Sequence, residues 1–269
     1  MTETERYLFD VRGYLVVPGA LSEEEVDEIN HVIDGVLPSW QAMTKTGYII
    51  AGWDEESTQG VNDSDYGPEG FNVAPLLDWG EPIRKLVGQK KVLPYLKEMM
   101  GPTLRLDHGY AVLMKAKCSP LVLHGGGAPY SASEYYHFRD NRFFCGLTVA
   151  SFSLCDIPPG SGGFCCIPGS HKANLPLPRQ FRDLVEPAEC VVQIPLRKGD
   201  AVLFSENLTH GTLQWRESYE RRAVLFNYCP GHIQYAKDPP IRSSDYEWED
   251  HQKALLRPPS WLIDENAGI

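Results

Sequence analysis

The chain has 269 residues and a mass of 30.2 kDa, a length that accommodates one large domain or two small ones with a proper hydrophobic core. Its 25 Lys and Arg residues against 36 Asp and Glu residues give a formal charge of −11, which argues against a nucleic-acid-binding surface because phosphate neutralisation requires clustered basic residues. No apolar run reaches the length of about 20 residues that a membrane-spanning helix needs, so we expect no membrane partner.

The seven cysteines are irregularly spaced and form no CxxC pair. Adjacent Cys165 and Cys166 lie in a β-prone run, and we interpret them as buried thiols rather than as metal ligands. The first residues, Met-Thr-Glu-Thr-Glu-Arg, are acidic where a secretory leader would be basic and then apolar. We therefore expect a protein of the reducing cytoplasm.

The first elements along the chain are predicted to be a strand and a helix. Residues 9–18 favour a strand that contains a turn. Ser22 and Glu25 have the spacing of a capping box, and the apolar residues that follow recur on one helical face. We therefore predict a helix that begins near residue 22.

The next part of the chain alternates between loop and helix. Residues 40–80 show no clear hydrophobic period and are predicted to form long loops. Apolar positions within 81–100 indicate helix again. Gly88 and Pro94 interrupt this stretch, so one helix and two short helices both remain open.

From Leu104 onward the sequence is typical of β-structure. Short β-prone runs are separated by Gly/Pro turns and cover residues 109–116, 143–154, 163–167, 190–196, 200–205 and 221–229. Many short strands at this spacing predict a mainly β fold, a barrel or double-sheet jelly roll with added helices. Without repeats or a linker, we expect a single domain over 1–269. We place the helical N-terminal part at about 20–100 and the β core at about 104–235, followed by a C-terminal tail helix with a capping pattern at Ser244.

Several polar residues of the β-rich part are candidates for chemistry. His124 follows a short strand and opens a glycine-rich loop, and His210 lies where another strand gives way to a turn. Arg221 begins a strand on which alternate residues share its face. An inward-pointing guanidinium would suit a buried dicarboxylate, whereas a surface pair of Arg221 and Arg222 is the plainer alternative.

Three segments together resemble the phytanoyl-CoA dioxygenase family of Fe(II)/2-oxoglutarate oxygenases. The opening FDVRGYLVVPGALSEEEVDEINHVID resembles the first strand and helix of that family. The segment CDIPPGSGGFCCIPGSHK, residues 155–172, resembles its Pro-Gly-Ser-His signature. The segment GDAVLFSENLTHGTLQWRESYERRAVLFNY, residues 199–228, resembles the region of the distal histidine and the 2-oxoglutarate arginine. The resemblance implies a double-stranded β-helix core, Fe(II), 2-oxoglutarate as cosubstrate, O2 and a small-molecule substrate.

The resemblance also assigns roles to individual residues. It makes His124 and His210 iron ligands, pairs Arg221 with the far carboxylate of 2-oxoglutarate, and lets the Thr212 hydroxyl help to bind that carboxylate. It places Phe152 in the lining of the cosubstrate pocket. We interpret His171 of the Pro-Gly-Ser-His turn as a loop residue that makes structural hydrogen bonds.

One position departs from the family pattern. The family's first motif is His-x-Asp, because residues i and i+2 of a strand point the same way, but this chain reads His124-Gly125-Gly126. In related iron halogenases a small residue vacates this position for chloride, so chlorination is one hypothesis. Glu134, Asp140 or water could instead complete the site and permit hydroxylation. A lost or altered metal site, in a non-catalytic binding protein, is a third hypothesis.

A segment after His124, residues 127–142, is longer than the family pattern leads us to expect. We interpret it as an active-site lid that presents aromatic and charged side chains to a polar substrate. The candidate lid residues are Tyr130, Glu134, Tyr135, Tyr136, His137 and Arg139. A surface excursion is the alternative, and ligation by His137 and Asp140 is disfavoured because i and i+3 diverge on a strand. Neither the substrate nor the oligomeric state follows from the sequence.

Overall fold

The computed structural model describes residues 1–43, 76–114, 121–182, 184, 189–236 and 246–261. The long loops predicted over 40–80 therefore lie largely outside the described residues, as does the predicted tail cap at Ser244. None of the described helices combines the length and the apolar character that a membrane crossing would require.

The N-terminal segment is more helical than predicted. Helix α1 (Glu3–Arg12) ends at Gly13, whose φ of +79° suits a residue without a side chain. Strand β1 is confined to Tyr14–Val17, so the first residues of the run predicted as a strand belong to the end of α1. Helix α2 (Glu23–Met43) starts at the predicted capping box, where the Glu25 N–H donates to Ser22 Oγ at 3.2 Å.

The interrupted apolar stretch forms two short helices. These are α3 (Glu81–Arg84) and α4 (Leu93–Met100), preceded by a short 3-10 helix at Leu76–Trp79. Gly88 lies between them with a φ of +68°, a backbone conformation that ends a helix. The interruption predicted from the sequence is therefore a true break.

The remaining elements alternate short strands with loops. They are β2 (Arg105–Met114), β3 (Tyr136–Arg139), β4 (Arg142–Cys145), β5 (Thr148–Ser153), β6 (Gly163–Cys166), α5 (Arg179–Arg182), β7 (Val192–Gln193), β8 (Ala201–Ser205), β9 (His210–Leu213), β10 (Arg221–Cys229) and α6 (Asp250–Leu255). The predicted run 143–154 is thus divided between β4 and β5. Strands β3 and β9 were not predicted, because the short segments that form them are too polar to stand out as β-prone runs.

Two antiparallel sheets face each other and form the predicted jelly roll. The larger sheet has the order β1-β8-β5-β10-β2, and the smaller has the order β7-β6-β9. Side chains between the sheets form an inner core that includes Val112, Phe164, Phe204 and Leu225. The other face of the larger sheet packs on the helices through a second core.

Candidate active site

His124 and His210 lie directly opposite each other at the edge of the smaller sheet. The N–H of each residue donates to the carbonyl oxygen of the other, both at 2.9 Å. Residues that face each other in an antiparallel pair project to the same side. The imidazole centroids are consequently only 4.2 Å apart, and the His210 ring packs on Phe204 of the inner core.

In both imidazoles, Nε2 is the nitrogen that is available to bind a metal. His124 Nδ1 lies 3.0 Å from the carbonyl oxygen of Val122, and His210 Nδ1 lies 2.7 Å from that of Leu208. A carbonyl only accepts hydrogen bonds, so Nδ1 carries the hydrogen and Nε2 keeps its lone pair. Burial lowers the pKa of both histidines to about 4, with a further contribution from His210 in the case of His124. Both rings are therefore neutral at pH 7, and His124 is exposed to solvent whereas His210 is buried.

The carboxylate next to the two histidines belongs to Glu206. One possible ligand atom from each of His124, Glu206 and His210 lies within 4.8 Å of the other two, and Glu206 Oε2 is 3.6 Å from His210 Nε2. Two neutral imidazoles and one carboxylate are the donor set that suits a ferrous ion with open positions for other ligands. These side chains fit the metal that the sequence resemblance implies.

The backbone holds Glu206 in the turn that joins β8 to β9. The Glu206 N–H donates to the Leu147 carbonyl at 2.9 Å, and Asn207 Nδ2 donates to the His171 carbonyl at 2.9 Å. The Thr209 N–H donates to Ser170 Oγ at 2.7 Å. The Pro-Gly-Ser-His turn therefore supports the segment that carries Glu206.

Burial raises the pKa of the Glu206 carboxyl, while His124 and His108 act in the opposite direction. Burial disfavours the charged form of a carboxyl that lacks sufficient positive charge around it. A divalent cation held by this carboxylate would supply that charge and stabilise the ionised form.

Gly125 and Gly126 allow a backbone path after His124 that residues with side chains would not adopt. Gly125 has a φ of +77°, and a Cβ there would lie 2.5 Å from the Glu206 carbonyl oxygen. Gly126 has a φ of +125°, and its N–H donates to the Asn207 carbonyl at 3.0 Å. A side chain at either position would oppose this close passage of the loop over the Glu206 turn.

Arg221 and Arg222 point to opposite sides of β10. Arg221 is 3% exposed, and its Nη1 lies 3.3 Å from Met114 Sδ of the inner core. A Cβ at Gly163 would lie 2.9 Å from Arg221 Nε, so this glycine leaves room for the guanidinium. Arg222 instead forms outer ion pairs with Asp34 and Glu220, both at 2.7 Å. The alternative of a paired surface position therefore does not describe Arg221.

Thr212 and Phe152 differ in the direction they face. Thr212 follows His210 by two residues on β9, so the two side chains share the inner face about 7 Å apart. Thr212 Oγ1 accepts the Leu121 N–H at 2.8 Å and can donate its own hydrogen to a ligand. Phe152 corrects our expectation, because strand alternation turns it to the helix-facing core, away from the space between the sheets.

Part of the predicted lid is directed at the site. Glu134 lies close enough to Glu206 for that carboxylate to raise its pKa, after the larger effect of burial. The Tyr235 side chain hydrogen-bonds to Glu134. Among the described residues, the cluster that could hold a metal contains Glu206, not Glu134.

The remaining lid residues anchor or decorate the β3–β4 hairpin. Tyr136 is buried and hydrogen-bonds to Asp10 of α1, which fixes the hairpin to the helical layer. His137 stacks with two tyrosines, at centroid distances of 6.3 Å from Tyr130 and 5.5 Å from Tyr135.

The hairpin tip lies in solvent. Asp140 and Asn141 form the two-residue turn with φ values of +52° and +59°, typical of a type I′ hairpin. The Asp140 side chain is 87% exposed and lies 3.8 Å from exposed Arg139. His137 and Asp140 accordingly do not join the three-residue cluster around His210.

A buried polar group that we did not predict backs this pocket. Asp107 accepts hydrogen bonds from His108 Nδ1 and from the N–H groups of Tyr235 and Ala236, all at 2.8 Å. Asn227 Nδ2 contacts His108 Nε2 across the β2–β10 pair. Asp107 and His108 are adjacent residues of the long strand β2.

His171 has the structural role expected for it. Its Nε2 donates to the Asp10 carbonyl at 3.1 Å, and the ring packs against Tyr136 at a centroid distance of 4.6 Å. A Cβ at Gly13 would lie 2.5 Å from His171 Nδ1, so the ring fills the space beside that glycine. His171 therefore ties the Pro-Gly-Ser-His turn to α1.

A jelly roll with two histidines, a carboxylate and a buried arginine is the arrangement that the sequence resemblance leads us to expect. The family model described as phytanoyl-CoA dioxygenase (PhyH) matches residues 9–223. The chain belongs to this family and is an enzyme of the Fe/2-oxoglutarate oxygenase class. The comparison with curated protein sequences gives no significant match.

Solved structures with the same fold include HygX from Streptomyces hygroscopicus. HygX with nickel and 2-oxoglutarate bound is 24% identical with a TM-score of 0.68, over 95% of this chain and 100% of that one. HygX with nickel, 2-oxoglutarate and hygromycin B bound is 25% identical with a TM-score of 0.64 and the same coverage. The epimerase SnoN in complex with Fe3+, alpha ketoglutarate and nogalamycin RO is 18% identical with a TM-score of 0.59, over 97% and 95% of the chains.

Proposed function

We propose that this enzyme hydroxylates an unactivated C–H bond of a small molecule, with His124, Glu206 and His210 as the iron ligands. The observation that carries the proposal is the Glu206 carboxylate, which lies beside both histidines although Gly126 replaces the usual aspartate. Fe(II) with bound 2-oxoglutarate supplies the oxidising chemistry, in which O2 is activated and the cosubstrate is converted to succinate and CO2.

The ligand residues hold one face of the metal. The Val122 and Leu208 carbonyls orient the two imidazoles with Nε2 toward the centre. Glu206 adds a negative charge that balances part of the metal charge. A metal held by these three side chains would keep further positions for the cosubstrate and oxygen.

Arg221 and Thr212 are proposed to bind the far carboxylate of 2-oxoglutarate. Arg221 brings a permanent positive charge into a buried part of the inner face, where a charge-assisted pair with a carboxylate is strong. Thr212 lies on the same face as His210 and can donate a hydrogen bond. These two side chains would orient the cosubstrate, while the lid excludes water from the substrate side.

The position of Glu206 favours hydroxylation over chlorination. Chlorination requires a coordination position that no protein carboxylate occupies, and Gly126 alone would provide it. With Glu206 as the third ligand, chloride has no vacated position. Neither Glu134 nor Asp140 is then needed to complete the site.

An anaerobic titration of the metal-free protein with Fe(II) and 2-oxoglutarate tests this function. We expect a visible charge-transfer band that chloride does not shift, followed by succinate formation when O2 is admitted. The Glu206→Ala variant serves as the comparison, because its opened position should make the band sensitive to chloride. A chloride-dependent band in the unsubstituted enzyme would contradict hydroxylation, and the lack of any band would contradict the iron site.

A further inference from the structure

A wall of stacked rings lies near Glu206, because His108 is close enough to act against the burial that raises the pKa of that carboxyl. The His108 ring lies between those of Tyr110 and Tyr235, with centroid distances of 6.1 and 6.0 Å and interplanar angles of 17° and 24°. Asp107 fixes the stack from behind, because it accepts from His108 Nδ1 and from the Tyr235 N–H. The wall is therefore held in place by buried contacts.

Glu134 closes the same region from the lid side. Its N–H donates to Ser131 Oγ at 3.2 Å, and its side chain hydrogen-bonds to Tyr235. Tyr235 is 45% exposed and Glu134 is half-buried, so both residues keep some accessible surface. Within the described parts of the chain, no lysine or arginine forms an ion pair with Glu134.

A hydrogen-bond acceptor lies on the inner face close to this wall. Asn227 is 1% exposed, and its Nδ2 contacts His108 Nε2. Its Oδ1 has no hydrogen-bond partner among the described residues. Together with the Glu134 and Glu206 carboxylates, this oxygen gives the region a surplus of negative charge and acceptors.

We infer that Glu134 and Tyr235 recognise a protonated amino group, so that the substrate of this oxygenase is an amine-bearing molecule. The inference rests on the proposed function. An ammonium would offset the charge of Glu134, donate hydrogen bonds to its carboxylate and lie against the electron-rich face of Tyr235. Iron would neutralise Glu206, which leaves Glu134 as the carboxylate that selects the ligand.

The test uses amine-bearing probes and their uncharged counterparts. A panel of small amines that includes hygromycin B is compared with the same compounds after N-acetylation, in the complex of enzyme, Fe(II) and 2-oxoglutarate. The readout is the rate of succinate formation that each compound stimulates. We expect stimulation by one or more amines and its loss after N-acetylation.

The variants separate recognition from folding. Glu134→Gln keeps the shape of the side chain and a hydrogen-bonding group for Tyr235 but removes the charge, so the concentration of amine needed for half-maximal stimulation should rise about tenfold or more. Glu24→Gln, which makes the same substitution at an exposed position of α2, is the matched control and should leave it unchanged. The inference is overturned if no amine stimulates turnover, if acetylated compounds work equally well, or if Glu134→Gln responds as the unsubstituted enzyme does.

Failure of the proposed function gives a different result. In that case Fe(II) and 2-oxoglutarate produce no charge-transfer band at all. Calorimetric titration of the metal-free protein with each amine and its acetylated form then tests amine binding independently of turnover. Binding of the amine and not of its acetylated form supports the inference, and equal binding or none refutes it.

Discussion

Replacement of Glu206 should weaken iron binding more than replacement of any other acidic residue near the site. In Glu206→Gln the side chain keeps its length, but the neutral amide is a poorer metal ligand. The substitution also removes the negative charge that lies 3.6 Å from His210 Nε2. We expect iron affinity and succinate formation to fall together.

The distances among the candidate ligand atoms indicate how large the loss of iron affinity should be. Ligands at about 2.1 Å from a six-coordinate metal are about 3.0 Å apart when adjacent. The candidate ligand atoms are within 4.8 Å of one another. Side-chain rotations that move these atoms by about 1–2 Å would therefore bring all three within bonding distance of one metal ion. Loss of supporting residues alone costs 10–100-fold in metal affinity, so loss of the ligand itself should cost at least about 100-fold, or about 2.7 kcal/mol.

Anaerobic calorimetric titration with Fe(II) measures this effect. Glu134→Gln distinguishes the neighbouring carboxylate and should change iron affinity by much less. Asp140→Asn, in the exposed hairpin turn, controls for the change in net charge. The reasoning is refuted if Glu206→Gln binds iron as tightly as the unsubstituted protein, or if Glu134→Gln suffers the larger loss.

Three further substitutions have defined outcomes. Arg221→Gln should raise the KM for 2-oxoglutarate by about 10- to 100-fold, because it removes a charge-assisted pair with the cosubstrate. Arg222→Gln, on the outward face of the same strand, should leave this KM unchanged. Similar KM values for the two variants would contradict the placement of Arg221 in the cosubstrate site. Gly126→Asp should lower the free energy of unfolding by about 1–3 kcal/mol, because the φ of +125° at this position strains any residue with a side chain. Urea denaturation measures the loss, with Gly35→Asp at an exposed helical position as the control. Equal stability of the two variants would contradict this strain. Burial lowers the pKa of His171 to about 4 from an ordinary value of 6.5. Between pH 6.5 and 4 the unfolded state therefore binds a proton at this residue that the folded state does not bind. The free energy of unfolding should fall by up to about 3 kcal/mol as the pH drops through this range. His171→Gln should show a shallower fall in urea stability over the same window, and an unchanged slope would assign the pH dependence to other groups.

The sequence predicts those site residues whose spacing follows strand geometry. His210 and Thr212 are two residues apart on β9 and share a face, as alternation requires. The same rule separates Arg221 from Arg222. The resemblance placed Phe152 in the cosubstrate pocket, whereas alternation along β5 turns it to the helix-facing core.

Residues that approach through turns are harder to predict. Glu206 precedes His210 by four residues, yet its carboxylate reaches the histidine only because the β8–β9 turn reverses the chain. The contact between His108 and Asn227 depends on the register of β2 with β10, which no local pattern reveals. The position of Glu134 likewise depends on the fold of the hairpin that follows it.

A proposed ligand in a turn, rather than at a strand position, would also leave the chain after His124 free to fold into the segment interpreted as a lid. In a His-x-Asp motif the residue two after the histidine must point at the metal, so the chain must stay extended there. Glu206 removes that requirement, and Gly125 and Gly126 can adopt positive φ values directly after His124. The chain then turns at once over the β8–β9 connection and returns with Glu134 beside Glu206. The proposed iron ligand Glu206 and the proposed substrate carboxylate Glu134 would then both depend on the turn that the backbone makes after His124.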